Sequence, residues 1–172
     1  MGKTTMLAVT IAVVAMLTAA GVAIAATFTC DPDDDVCSGT NNDDQITGTD
    51  GRDVIRALDG DDQVKALAGN DEVLGGDGRD TIAGGQDNDD LRGGTGGDNI
   101  NDRAGNDADE VFGNAGNDEI DVADGDTNDR VDCGSGSNDT LRFDRESRTD
   151  RDTFVNCENR IPVSNATADS QE

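Results

Sequence analysis

Residues 75–83 read GGDGRDTIA and residues 93–101 read GGTGGDNIN, two nine-residue units with the same order of glycine, aspartate and aliphatic residues. In the first unit Asp80 lies two positions before Ile82, and the second unit repeats this spacing. A fixed period of this length is typical of stacked repeat structures rather than of ordinary globular domains. Repetition therefore decides the fold before secondary structure is considered.

The same spacing extends through the middle of the chain. Eleven aspartates each precede a large aliphatic residue by two positions; they are Asp44, Asp53, Asp62, Asp71, Asp80, Asp89, Asp98, Asp109, Asp118, Asp129 and Asp139. The aliphatic residues follow one another at intervals of nine for six steps, and then of eleven, nine, eleven and ten. Between residues 39 and 142 there are 17 large aliphatic or Phe residues, and 11 of them occupy this one position. A disordered acidic linker would scatter them.

Each unit predicts a turn followed by a short strand. Glycine in the turn permits a positive φ, and along the strand a buried aliphatic residue alternates with outward-facing neighbours. Because two units would make one coil, we expect an all-β, right-handed parallel β-roll (a β-solenoid) of about eleven nonapeptide-like repeats with short disulfide-linked caps. Such a roll has about five and a half coils and a length of roughly 25 Å at about 4.8 Å between strands.

The charge of the chain indicates what such a roll requires. The formal net charge is -25, with 38 acidic and 13 basic residues and no His, so nucleic acid and anionic membrane surfaces would repel it. Stacked coils bring like carboxylates together, and one buried aliphatic residue per unit stabilises less than ordering nine residues costs. Calcium accepts six to eight oxygens from carboxylates and carbonyls. We therefore expect several bound Ca²⁺ ions and metal binding coupled to folding.

The units resemble the RTX, or haemolysin-type, calcium-binding nonapeptide repeat, whose pattern is G-G-x-G-x-D-x-U-x. The resemblance extends from residue 39 to about residue 142 and is most specific at the aspartate and aliphatic positions. It implies that the eleven repeat aspartates and the turn carbonyls form the ligand sets, with each ion shared between neighbouring coils.

Several copies depart from this pattern. Two extra residues precede Asp109 and Asp129, and the leading glycine pair is lost in the first four copies, which begin Gly39-Thr40, Gly48-Thr49, Ala57-Leu58 and Ala66-Leu67. We expect weak or distorted sites in these copies. The ligands best supported by the pattern are Asp71, Asp80, Asp89, Asp98 and Asp118.

Residues 1–25 predict a signal peptide. Lys3 precedes an apolar run from Met6 to Ala20, and Ala23-Ile24-Ala25 places small residues at the positions read by a signal peptidase. We expect cleavage after Ala25 and a secreted, extracellular bacterial protein that has no membrane contact after cleavage. An uncleaved membrane anchor is the alternative, since the run approaches the length of a span.

Four cysteines lie beyond the predicted cleavage point, and four cysteines allow three pairings. We favour the pairs Cys30–Cys37 and Cys133–Cys157, because each pair brackets one end of the repeat block. Zinc binding is the alternative, but the chain has no CxxC motif and no His, and its other candidate ligands are hard oxygens.

These features divide the chain into five segments. They are a signal peptide (1–25), an N-terminal cap (26–38), the calcium-binding roll (39–142), a C-terminal cap (143–162) and a flexible tail (163–172). The N-terminal cap contains alternating acids that resemble the start of an EF-hand loop, but Val36 occupies the position of the required glycine. The arginines of the C-terminal cap alternate with acids, so we prefer a self-neutralising face to a site for an anionic partner.

The sequence does not favour an enzyme. It has no His, and beyond residue 25 it has no Tyr, Trp or Met and no evident nucleophile–base pair. Acid pairs such as Asp61-Asp62 recur with the repeat, so a structural metal explains them better than catalysis. We therefore predict a secreted calcium-binding protein. The alternative is an extracellular structural or adhesive spacer, which acts through its rigid acidic surface on an unidentified surface or protein partner.

Overall fold

The computed structural model describes residues 25–31, 36–104, 107–123, 128–144 and 152–163. The predicted signal segment up to residue 24, the acidic residues 32–35 and the tail from residue 164 lie outside these ranges. The described residues contain no helix. Their fifteen strands are β1 Thr27–Thr29, β2 Cys37–Ser38, β3 Gln45–Thr47, β4 Val54–Asp59, β5 Gln63–Ala68, β6 Glu72–Asp77, β7 Thr81–Gln86, β8 Asp90–Thr95, β9 Asn99–Asn101, β10 Glu110–Ala115, β11 Glu119–Asp121, β12 Arg130–Asp132, β13 Thr140–Asp144, β14 Thr153–Val155 and β15 Asn159–Val163.

The strands form two parallel sheets that the chain visits in alternation. The odd-numbered strands make an eight-stranded sheet in the order β1 to β15, and the even-numbered strands make a seven-stranded sheet from β2 to β14. Every strand pairs with the strand one full coil away. The predicted all-β parallel β-roll is confirmed, with two repeat units in each coil.

The repeat period produces the core, because pairing in register stacks equivalent residues. In the odd sheet the stacked aliphatic residues are Ile46, Val64, Ile82, Ile100, Ile120 and Leu141. In the even sheet they are Ile55, Val73, Leu91, Val111 and Val131. All eleven are at most 1 % exposed. Two residues further along each strand is a second inward position, which holds small residues such as Ala57, Ala66, Gly75, Gly84 and Gly93.

The two insertions do not break the register. The extra residues lie between β9 and β10 and between β11 and β12, outside the strands. Leu91 still pairs with Val111 and Val111 with Val131, so these coils contain 20 residues instead of 18. The roll absorbs the added length in its turns and keeps its aliphatic core continuous.

The whole roll has about seven turns, more than the five and a half coils expected for the eleven repeats alone. The difference arises because both end segments add strands to the sheets. Phe28 pairs with Ile46, Cys37 with Ile55, and Phe154 with Val131. Phe or Cys thus occupies the position that an aliphatic residue takes in the middle of the chain.

Both predicted disulfides are confirmed. Cys30 is bonded to Cys37 and Cys133 to Cys157, with Cα–Cα distances of 5.4 and 5.1 Å. Cys133 is fully buried in the second inward position after β12. Each bond therefore ties an end coil to the core of the roll.

Removing the longer disulfide should destabilise the roll substantially. It closes a loop with a sequence separation of 24, so Cys133→Ala with Cys157→Ala should lower the free energy of unfolding by about 3 kcal/mol. Urea unfolding in saturating calcium measures this loss. The pair Cys30→Ala with Cys37→Ala opens a separation of only 7 and should cost less. An unchanged unfolding midpoint for the first pair would contradict the expectation.

Two leucines occupy backbone positions that favour glycine. Leu58 and Leu67 have φ values of 88° and 91°, and their side chains are about 40 % exposed. Leu58 pairs with Gly76 and Leu67 with Gly85, whose φ values are 122° and 137°. The leading Ala-Leu of copies three and four thus forces a side chain into a conformation suited to glycine.

Replacing these leucines should stabilise the protein. Leu58→Gly and Leu67→Gly should each raise the free energy of unfolding by about 0.5–1 kcal/mol, because relieving the positive φ outweighs the added freedom of the unfolded chain. Thermal unfolding in calcium measures the change. Leu74→Gly is the matched control and should destabilise, because Leu74 is a half-buried strand residue outside the positive-φ set. If all three variants are destabilised alike, the inference that Leu58 and Leu67 are strained is wrong.

Candidate metal centres

The eleven predicted aspartates form two ladders, one along each edge of the roll. Each aspartate is the last turn residue before a strand, as Asp80 is before β7, and each is at most 6 % exposed. Because successive units alternate between the sheets, alternate aspartates stack. One ladder contains Asp44, Asp62, Asp80, Asp98, Asp118 and Asp139, and the other contains Asp53, Asp71, Asp89, Asp109 and Asp129.

In ten of the eleven aspartates, one carboxylate oxygen accepts a backbone N–H from the preceding coil. The backbone N–H of Asp62 donates to Asp80 Oδ1 at 2.9 Å, and that of Asp80 donates to Asp98 Oδ1 at 2.9 Å. The N–H of Asp89 makes the same bond to Asp109 Oδ1 across an insertion, also at 2.9 Å. The side chain thus supplies the acceptor that a turn N–H needs where strand pairing has stopped. This requirement explains why aspartate recurs in every copy.

The second oxygen is buried without a hydrogen-bond donor in seven of these aspartates, namely Asp62, Asp71, Asp80, Asp89, Asp98, Asp118 and Asp139. In Asp80, Asp89, Asp98 and Asp118 this oxygen lies against the leading glycine of its own copy. A Cβ added to Gly75 would overlap both Asp80 Oδ2 and the carbonyl oxygen of Gly93 in the next coil. The missing side chain leaves a space lined by a carboxylate and a carbonyl oxygen, which is the donor chemistry that calcium prefers.

The first two copies differ at this oxygen. Thr40 donates its N–H and its hydroxyl to Asp44 Oδ2 at 2.6 and 2.9 Å. Thr49 donates the same two groups to Asp53 Oδ2 at 2.6 and 3.1 Å. Threonine in place of the second glycine therefore satisfies these carboxylates from within the protein. This gives a physical reason why the sites expected at Asp44 and Asp53 are the least suited to a cation.

Burial makes the carboxylate ladders electrostatically unfavourable. Desolvation raises the pKa of Asp80 and of Asp89 to about 7, and repulsion from neighbouring ladder carboxylates adds to it, while the backbone N–H bond opposes it. The same causes raise the pKa of Asp62, Asp71 and Asp118 to about 6. The folded roll therefore favours either protonation or a bound cation along its edges.

Two further acids extend the ladders towards the C-terminus, and the sequence prediction missed them. Asp152 Oδ1 accepts the N–H of Asp129 at 3.0 Å, and Glu158 Oε2 accepts the N–H of Asp139 at 3.0 Å. Asp152 could have been found, because it precedes Phe154 by the same two positions as the repeat aspartates precede their aliphatic residues. Glu158 carries no such signal, since Arg160 follows it.

Asp102 is a third residue outside the predicted set. It is 2 % exposed, its Oδ1 accepts the N–H of Gly85 at 3.0 Å, and its Oδ2 has no hydrogen-bond partner. One carboxylate oxygen each from Asp89, Asp102 and Asp109 lie within 4.8 Å of one another. Burial, with repulsion from Asp109 as the next cause, raises the pKa of Asp102 to about 9.

Part of this roll matches a known protein family. A family model described as the RTX calcium-binding nonapeptide repeat (four copies) matches residues 38–73 and 66–100. Residues 38–100 are RTX calcium-binding nonapeptide repeats. Beyond this match, the coils up to residue 144 keep the same register and aspartate ladders. No curated protein and no solved structure matches the chain.

Across the described ranges there is no helix with the length and hydropathy that a membrane span requires.

The metal-free RTX roll should lose stability as pH rises. The folded-state pKa of Asp80 and Asp89, about 7, lies above the ordinary value of 3.8, so their contribution is fully present below about pH 4 and is lost as pH rises through 7. Circular dichroism in chelator between pH 4 and 8 measures the loss. With saturating calcium the dependence should reverse, because protons compete with the ion. Metal-free stability that increases from pH 5 to 8 would contradict this account.

Proposed function

We propose that this protein is a secreted calcium-binding protein whose RTX repeats bind several Ca²⁺ ions, and that ion binding is coupled to folding. The observation that carries the proposal is the double ladder of buried carboxylates. In each ladder one oxygen of the aspartate is used by the backbone and, in seven copies, the other has no donor. A buried anionic oxygen without a partner is costly, and a cation between coils compensates it.

The residues proposed to hold the ions are the repeat aspartates together with turn carbonyls of the neighbouring coil. Asp62, Asp71, Asp80, Asp89, Asp98, Asp118 and Asp139 are favoured because their Oδ2 atoms have no donor. Asp109 and Asp129 hold the same ladder positions beside the insertions. Asp44 and Asp53 are the weakest candidates. Their Oδ2 atoms already accept two hydrogen bonds each, from Thr40 and Thr49 respectively.

Coupling between binding and folding follows from the composition of the roll. The core holds one large aliphatic residue per unit, and the chain carries a net charge of -25. Such a core does not compensate both chain entropy and repulsion among stacked carboxylates. Bound calcium neutralises the ladders and joins neighbouring coils, so its binding free energy becomes folding free energy. Because calcium is scarce in the cytosol and plentiful outside, the predicted signal segment fits a chain that folds after export.

A structural or adhesive role is the second candidate, and one surface favours it. The first strand position of the odd sheet carries a stacked row of outward polar residues, which are Gln45, Gln63, Thr81, Asn99 and Glu119. This flat row could contact an extracellular surface while calcium holds the roll together. Asn99→Lys would then alter attachment to that surface without changing calcium affinity.

Calcium should convert the protein from a largely unfolded chain to a β-rich one. Circular dichroism is recorded in chelator and again in millimolar calcium. At pH 8 we expect the β signal only with calcium, whereas magnesium should fail because it prefers tight octahedral geometry and retains its waters. A spectrum that does not change when calcium is added would refute the coupling.

The ladder ligands can be tested with a matched pair of double variants. Asp80→Asn with Asp98→Asn removes two carboxylates whose Oδ2 atoms have no donor, so the number of bound ions should fall and calcium affinity should decrease by about tenfold or more. Asp44→Asn with Asp53→Asn removes the same charge, but from carboxylates that accept hydrogen bonds from threonine. This double variant should leave the number of bound ions unchanged. Calorimetric titration with calcium gives both quantities. Equal losses in the two double variants would refute the assignment.

A further inference from the structure

One buried carboxylate lies inside the roll rather than at its edge. Asp102 follows β9 and occupies the second inward position of its coil. Since Ala83 pairs with Asn101 and Asn101 with Asp121, Asp102 stacks between Gly84 and Val122. The other described residues of this inward column are small or apolar, namely Cys30, Gly48, Ala66, Gly84, Val122 and Phe143. Asp102 is therefore the one carboxylate among the described residues of this column.

The repeat pattern explains why the space exists. Asp102 stands nine residues after Gly93, where the leading glycine of copy eight would fall, and the two-residue insertion places the ladder aspartate seven positions later, at Asp109. A Cβ added to Gly84 would lie 2.7 Å from Asp102 Oδ1 and 2.7 Å from Asp89 Oδ2. The glycine of one coil therefore makes room for two carboxylates from two different parts of the chain.

Three carboxylates converge in this space. Asp89, Asp102 and Asp109 are 3 %, 2 % and 4 % exposed, and one oxygen of each lies within 4.8 Å of the others. Their Oδ1 atoms accept N–H bonds at 2.8, 3.0 and 2.9 Å, which fixes all three side chains. The Oδ2 atoms of Asp89 and Asp102 are buried without any donor. The adjacent Arg103 contacts Asp121 and the Ala123 carbonyl.

We propose that Asp102 turns the repeat position of Asp89 and Asp109 into a three-carboxylate, calcium-class cation site, which binds more tightly than the other repeat sites and fills first. The proposal rests on the proposed function, because it assumes that the roll binds calcium. A repeat site offers one donor-free carboxylate oxygen and turn carbonyls, whereas this site offers three carboxylates. More negative charge among rigid, buried oxygen ligands increases affinity for a divalent cation.

The location gives the site a second role. Within its own ladder, Asp89 ends the last step of 18 residues and Asp109 ends the first step of 20 residues. An ion held by Asp89, Asp102 and Asp109 joins the regular repeats to the irregular ones. Filling this site first orders the junction, and both neighbouring ladders can then extend from it.

The test uses two substitutions at one position in the purified protein. Asp102→Gly restores the leading glycine of the repeat, and Asp102→Asn keeps the shape of the side chain. Asp50→Asn, at an exposed turn residue, is the control for loss of one charge. Calcium binding is followed by competition with a chromophoric chelator, and europium(III) excitation spectra, in which distinct sites give distinct lines, count the sites directly.

For the unsubstituted protein we expect one ion bound more tightly than the rest, with its own europium line. Both Asp102 variants should lose that line and bind their first calcium ion at least about tenfold more weakly, while the remaining ions bind as before. Asp50→Asn should match the unsubstituted protein. If Asp102→Gly does not fold, Asp102→Asn decides the outcome.

Unchanged first-ion affinity and an unchanged number of europium lines in the Asp102 variants would overturn this proposal while leaving the repeat sites intact. If the unsubstituted protein binds no calcium at any site, the proposed function itself is wrong. The two failures are therefore distinguishable in one set of titrations.

Discussion

The structure depends on one kind of hydrogen bond, which recurs from coil to coil. In it, a turn N–H of one coil donates to an aspartate Oδ1 of the next coil. Backbone pairing within the sheets holds the strands together, but it stops where the chain turns from one sheet to the other. The carboxylate continues the ladder through these turns, at 2.9 Å between Asp62 and Asp80, for example. A buried backbone donor requires an acceptor, and a charged acceptor makes a stronger bond than a neutral one.

The use of aspartate as the acceptor buries many negative charges close together along the edges of the roll. Each coil adds two buried carboxylates to the edges. Where a copy begins with glycine, the second carboxylate oxygen lies against the space that the missing side chain leaves open, as it does at Gly75 beside Asp80. Where Thr40 donates its N–H and its hydroxyl to Asp44 Oδ2, the protein satisfies this oxygen from within. Glycine therefore has two uses in this fold, since it permits the turn conformation and it keeps a volume open for a cation.

Much of the fold was predictable because the sequence repeats at the same interval as the structure. The position of Ile82 in its unit is enough to place it in the core, and bracketing of the repeats by Cys30, Cys37, Cys133 and Cys157 was enough to pair them. The end coils were missed because Phe28 and Phe154 take the aliphatic position. Asp102 could not be recognised as a candidate ligand from the sequence, because its surroundings depend on Gly84. This glycine is eighteen residues earlier and lies beside Asp102 only after the coils have formed.

The hydrogen bonds of the ladders all point the same way. In every step the donor belongs to the earlier coil and the acceptor to the later one, so the roll is a polar filament with unlike ends. During synthesis from the N-terminus, each turn remains incomplete until the following coil has emerged. Asp152 and Glu158 accept the donors of Asp129 and Asp139, and they do so from segments without a repeat glycine. They thereby satisfy the last described turn donors of the two ladders.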